Sequence, residues 1–154
     1  MPLRSRLQSF QTTDARALLP RRLLLGCLLF GLCLPGTAWA EAAINCQIQE
    51  HSCTQMIAGR TVELDITPKP VKAMKELTFR VQVSGGATPA PPYIDLGMPA
   101  MEMGPNTVKM EKGNNGVYEG KGVIVKCPSG KTIWEATVTL PETGQASFIF
   151  DVVY

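Results

Sequence analysis

From Thr61 onward, apolar and polar residues alternate with a period of two. Val62, Leu64 and Ile66 alternate with Thr61, Glu63, Asp65 and Thr67. Residues two apart in an extended chain share a face, so this spacing predicts a strand with one apolar side. Pro68-Lys69-Pro70 ends it, because proline cannot donate to a ladder. Leu77, Phe79, Val81 and Val83 repeat the pattern against Thr78, Arg80, Gln82 and Ser84, and a Gly/Pro-rich loop runs from Gly85-Gly86 to Pro91-Pro92. Shorter strands are expected at 93–98 and 107–110. Gly113-Asn114-Asn115-Gly116 is a turn that tolerates positive φ, leading into a strand over 117–125. Pro128-Ser129-Gly130-Lys131 reads as a hairpin turn before Trp134, Ala136, Val138 and Leu140, which alternate with Ile133, Glu135, Thr137 and Thr139. After Pro141-Glu142-Thr143-Gly144, a last strand over 147–154 is apolar enough to predict burial on much of both faces. About seven short strands and no helical period predict an all-β fold, an immunoglobulin-like β-sandwich, with a closed barrel as the alternative.

Before this domain the pattern changes. Arg21 and Arg22 precede an apolar run over 23–34, then Pro35-Gly36 and Ala38-Trp39-Ala40. A positive flank, a short apolar core and a small-x-small site are the parts of a cleavable secretory signal, and the run is about half the ~20 residues that span a bilayer. The expected organisation is a signal peptide over 1–40, an irregular segment over 41–60, and a sandwich domain over 61–154. No membrane span is expected after cleavage, and the expected location is periplasmic or secreted. The leader carries five of the fifteen basic residues and one of the thirteen acids. Without it ten basic and twelve acidic residues remain, which removes the clustered positive charge that nucleic-acid binding requires.

Chemistry concentrates in two places. Four of the seven methionines, Met98, Met101, Met103 and Met110, fall within residues 98–110. Thioether sulfur is a soft ligand that needs no deprotonation and prefers Cu(I), so these residues are candidate copper ligands; the competing reading is pliable core filler. The second place is Cys46 to Cys53, with His51 between them. His51 or a cysteine would complete a metal site, although the spacing is no standard zinc signature. Outside the cytoplasm thiols tend to pair, and Cys46, Cys53 and Cys127 permit three pairings. The expectation is that one early cysteine pairs with Cys127 and that His51 is a solvated loop residue. Pairing of Cys46 with Cys53 would instead leave Cys127 free beside Pro128, at an accessible turn. No Cys-x-x-Cys occurs, no nucleophile stands with the single histidine, and no paired carboxylates point to acid–base work, so an enzyme is not expected.

The order Met98-Pro99, Met101, Met103-Gly104, Tyr118, Gly130 and Trp134, over roughly residues 61–154, resembles the YtkA-like domain family. The resemblance implies a small exported or tethered β-sandwich akin to the periplasmic part of FixH-type proteins. It also implies a link with copper supply to haem–copper oxidases, and so an envelope protein partner in respiratory oxidase assembly. The segment from Cys46 to Cys53 is a departure from that family pattern. The function that follows is an exported envelope module binding or delivering copper; the alternative is a metal-free interaction domain, docking by a sheet edge or by the Pro-rich loop.

Overall fold

A computed structural model describes residues 42–154; the expected signal peptide lies outside the described residues. Every strong alternating segment becomes a strand, because that alternation is what burying one face of a sheet requires. In chain order the strands are β1 (Cys53–Ile57), β2 (Arg60–Thr67), β3 (Glu76–Ser84), β4 (Tyr93–Gly97), β5 (Thr107–Lys109), β6 (Glu111–Lys112), β7 (Val117–Val123), β8 (Ile133–Leu140) and β9 (Gly144–Asp151). They form two antiparallel sheets, one ordered β1-β2-β3-β7-β6 and the other β5-β4-β8-β9. At the sides of the sandwich β1 packs by β9, and β5 by β7.

The inward faces meet in a core whose largest fully buried side chains are Trp134, Phe79, Phe148 and Phe150. Close approach of the sheets is allowed at two glycines of β7. A Cβ on Gly120 would lie 2.4 Å from the Lys109 carbonyl oxygen, and one on Gly122 would lie 2.6 Å from a Val108 methyl. Real Cβ atoms do not approach that closely, so any side chain here would push β5 away from β7.

Nine strands replace the expected seven. β1 lies within the segment expected to be irregular, because only its end residues, Cys53 and Ile57, are buried and no alternation marks it. It is an edge strand held by its ladder to β2, with Met56 left exposed. β6 is two exposed residues paired across the Asn/Gly turn to β7. That turn forms as expected, with positive φ at Asn115 and Gly116. Residues 124–132 are not a hairpin, since β7 and β8 belong to different sheets and this segment crosses between them. β9 begins at Gly144, tight against Leu140, and ends at Asp151, after which the Val152 and Val153 amides bond to the Thr132 and Val71 carbonyls. Its outer positions are half-buried or exposed, not buried, and Asn45 clamps its free edge, donating to the Ser147 carbonyl and accepting from the Ile149 amide.

Two outcomes follow from this packing. Trp134→Ala is expected to cost about 3–5 kcal/mol in denaturant unfolding; a loss of only a few tenths, as at surface sites, would mean that the inward face of β8 is wrongly assigned. Gly120→Ala is expected to cost about 1–3 kcal/mol by overpacking, whereas Gly97→Ala, whose Cβ would meet nothing within 4 Å, should be nearly silent in the same measurement.

Candidate functional site

The loop from β4 to β5 is drawn in at two levels. At its base the Leu96 amide donates to the Asn106 carbonyl at 2.9 Å, and above this the Met101 amide donates to the Met98 carbonyl at 3.2 Å. Between those methionines Pro99 and Ala100 form a tight turn. Proline supplies its preferred φ at the second position, and Ala100 takes φ 58° at the third, where glycine is usual. The turn brings Met98, Met101 and Met103 to one surface groove of about 650 Å³. Met98 is buried at 5% exposure, Met103 is half-buried against the core, and Met101 is exposed at 38%.

The rest of the groove comes from the outer face of the four-stranded sheet. Asp95 of β4 and Glu135 of β8 line it, with Glu102 from the loop. Gly97 stands opposite Glu135 in the ladder, and with no side chain there the groove stays open above the backbone. Both strand carboxylates are held from the side. The Thr107 hydroxyl donates to Asp95 Oδ1 at 2.6 Å, and the Ser147 hydroxyl donates to Glu135. The sequence reading missed these acids, because outward positions on separate strands cannot be matched until the β4–β8 register is known. The signal they do carry is that each takes the polar place of an alternating strand, Asp95 between Ile94 and Leu96 and Glu135 between Trp134 and Ala136.

The remaining expected ligands lie elsewhere. Met110 is buried on the inner side, its sulfur 2.9 Å from where a Gly120 Cβ would be, and so it fills the approach of β5 to β7. His51 is exposed just before β1, on the side of the sandwich where β1 meets β9, whereas the methionine loop joins β4 and β5 on the other side. Among the described residues no group of three or more His, Cys, Asp or Glu side chains is arranged to hold a metal ion. Any metal in the groove would thus depend on thioethers.

The cysteines correct the favoured pairing. Cys46 and Cys53 are joined, with Cα atoms 5.5 Å apart, and Cys127 is free and buried. The reason is local: the Gln47 carbonyl accepts from the Glu50 and His51 amides, and this turn folds the chain back on itself between the two cysteines. Cys127 is not at an accessible turn. Its amide donates to the Tyr154 hydroxyl at 3.1 Å, and its sulfur shares a hydrogen bond with the Ser129 hydroxyl at 3.0 Å. Hydrogen bonds from Ser129, and secondarily the neighbouring Lys131, hold the thiol below its ordinary pKa.

Because the thiolate is the reactive form, Ser129→Ala is expected to move the pH midpoint of Cys127 alkylation upward, followed on the Cys127 peptide by mass spectrometry. An unchanged or lowered midpoint would remove Ser129 as the cause. Compared with protein-family models, with curated proteins and with solved structures, the chain matches none.

Proposed function

We propose that this domain is an exported, immunoglobulin-like β-sandwich module of the cell envelope, of the YtkA-like kind, that binds or delivers Cu(I). Met98, Met101 and Met103 are the ligands in this reading. The observation that carries it is the convergence of these three thioethers on one groove, with Met101 accessible to solvent and Met103 half-buried against the core. The donor set suits the ion: thioether sulfur binds Cu(I) at any physiological pH without losing a proton. Asp95, Glu102 and Glu135 add negative charge around the groove, which favours a cation without requiring a carboxylate in the coordination shell. Met110 and His51 have no place in this ligand set. The Cys46–Cys53 disulfide supports export to an oxidising compartment. An oxidase-assembly partner rests on the family resemblance alone.

A second reading is a metal-free interaction domain of the envelope. It is favoured by the burial of Met98 and Met110, which serve the core whether or not a metal binds.

A Cu(I) titration in ascorbate against a chromophoric chelator separates the two, with Cys127→Ala in place and any exposed thiol alkylated so that only thioethers and imidazole compete. Copper held by the chain should be lost in a Met101→Leu, Met103→Leu variant and retained in His51→Ala. Retention in the methionine variant with loss in His51→Ala would place the site at the segment before β1. No binding by the unmodified groove would leave the interaction domain.

A further inference from the structure

One end of the sandwich differs in character from the rest of the surface. It is formed by the β2–β3 connection, the crossover from β7 to β8 and the chain after β9, beside the methionine loop. Backbone bonds tie these segments together: Ala73 N–H to the Val153 carbonyl at 2.9 Å, Met74 N–H to the Ile124 carbonyl at 2.8 Å, and Val153 N–H to the Val71 carbonyl at 3.0 Å. The Asn106 side chain adds a bond to the Val123 carbonyl at 3.1 Å. Of the eight large apolar side chains exposed among the described residues, five are at this end: Met74, Val123, Val125, Val153 and Tyr154. Met74 is 64% exposed and has φ 60°, a left-handed conformation that a non-glycine residue adopts at a cost. The fold thus holds an apolar side chain out into water with a backbone that does not favour it.

Beside the methionine loop, whose groove carries Asp95, Glu102 and Glu135, the unpaired charge of these segments is predominantly positive. Lys69 is taken up by Asp65 and Lys121 by Glu76, each at 2.8 Å. Lys72, Lys75, Lys126 and Lys131 have no carboxylate within ion-pair distance among the described residues. Lys126 instead lies over the Tyr154 ring, its nitrogen 5.5 Å from the centroid. We propose that this tip docks the domain on an anionic lipid surface, with Met74, Val123 and Val125 entering the headgroup layer and the four unpaired lysines on lipid phosphates. The tip is built from turns and strand ends with side chains standing outward. That shape suits a planar interface, whereas an extended peptide would need a groove. Lysine stems cover apolar surface while their ammonium groups reach the phosphates, and a tyrosine ring is at home at that depth. This proposal stands apart from the copper reading and survives its failure.

Lysine footprinting of the full chain tests it. The chain is acetylated with or without vesicles, and each lysine's modification is read by mass spectrometry. Vesicles of phosphatidylcholine mixed with phosphatidylglycerol should protect Lys72, Lys75, Lys126 and Lys131 and leave Lys112, at the opposite end beside the Asn/Gly turn, as reactive as before. Phosphatidylcholine alone should protect none. In sedimentation with the mixed vesicles, Lys75→Ala with Lys126→Ala should weaken partitioning roughly 25-fold, at about fivefold per lysine. The sedimentation comparison is made on the chain from Glu41, because an Arg-flanked apolar leader partitions into anionic vesicles by itself and would mask the loss. Equal protection of Lys112, or no protection, would overturn the proposal. Protection by soluble polyglutamate but not by vesicles would also overturn it, and would assign the tip to an acidic polypeptide.

Discussion

The interleaving of two apolar sheet faces around Trp134 is the contact on which the other features depend. Its ring is fully buried with Phe79, Phe148 and Phe150, and its indole N–H donates to the Tyr154 hydroxyl at 3.4 Å. That hydroxyl also accepts from the Cys127 amide and donates to the Lys131 carbonyl. A single phenol therefore joins the core to the crossover from β7 to β8 and to the last residues of the chain. The polar end of Trp134 is satisfied in this way, which is what permits so large a ring at the centre of the sandwich. It also fixes the crossover segment that carries Val125 and Lys126, so the shape of the tip is set by the packing of the core.

The strands with one buried face were legible in the sequence because burial on a sheet enforces a period of two. β2, β3 and β8 follow their alternation almost residue by residue. β1 and β6 were not legible, and the reason is the same physics in reverse. An edge strand that buries only its ends, or nothing, has no alternation to display. The β7–β8 connection looked like a hairpin because Pro128-Ser129-Gly130 is turn chemistry, and Gly130 does take positive φ. Local turn chemistry says that the chain bends; it does not say which sheet receives it.

The candidate site was half legible for a related reason. Residues 98, 101 and 103 converge because Pro99 and Ala100 make one turn within a loop cinched at Leu96 and Asn106, a geometry that proximity in sequence already implied. Met110 is as near in sequence, yet it directly follows β5, and continuing that strand's alternation from buried Val108 sends its sulfur inward, against Gly120. His51 is on the far side because β1 is the outer strand of the other sheet. The carboxylates that do border the groove come from β4 and β8, forty residues apart in sequence and adjacent only through the ladder.

The groove and the tip are neighbours of opposite character, and the boundary between them is physical. Asn106 belongs to both: its carbonyl closes the base of the methionine loop, and its side chain bonds to Val123 at the edge of the tip. On one side Asp95, Glu102 and Glu135 gather negative charge around soft sulfur; on the other, four lysines surround exposed valine, methionine and tyrosine. Like charges on either side would spread a single field over the whole end of the domain. Opposite charges a few residues apart instead offset each other at a distance, and salt screens what remains over a Debye length of about 8 Å at physiological ionic strength. In the copper reading, a cation approaching the groove is then not repelled by the lysines at long range. An anionic surface is drawn to the tip only when the two are close, so that contact orients the domain with Met101 beside the interface.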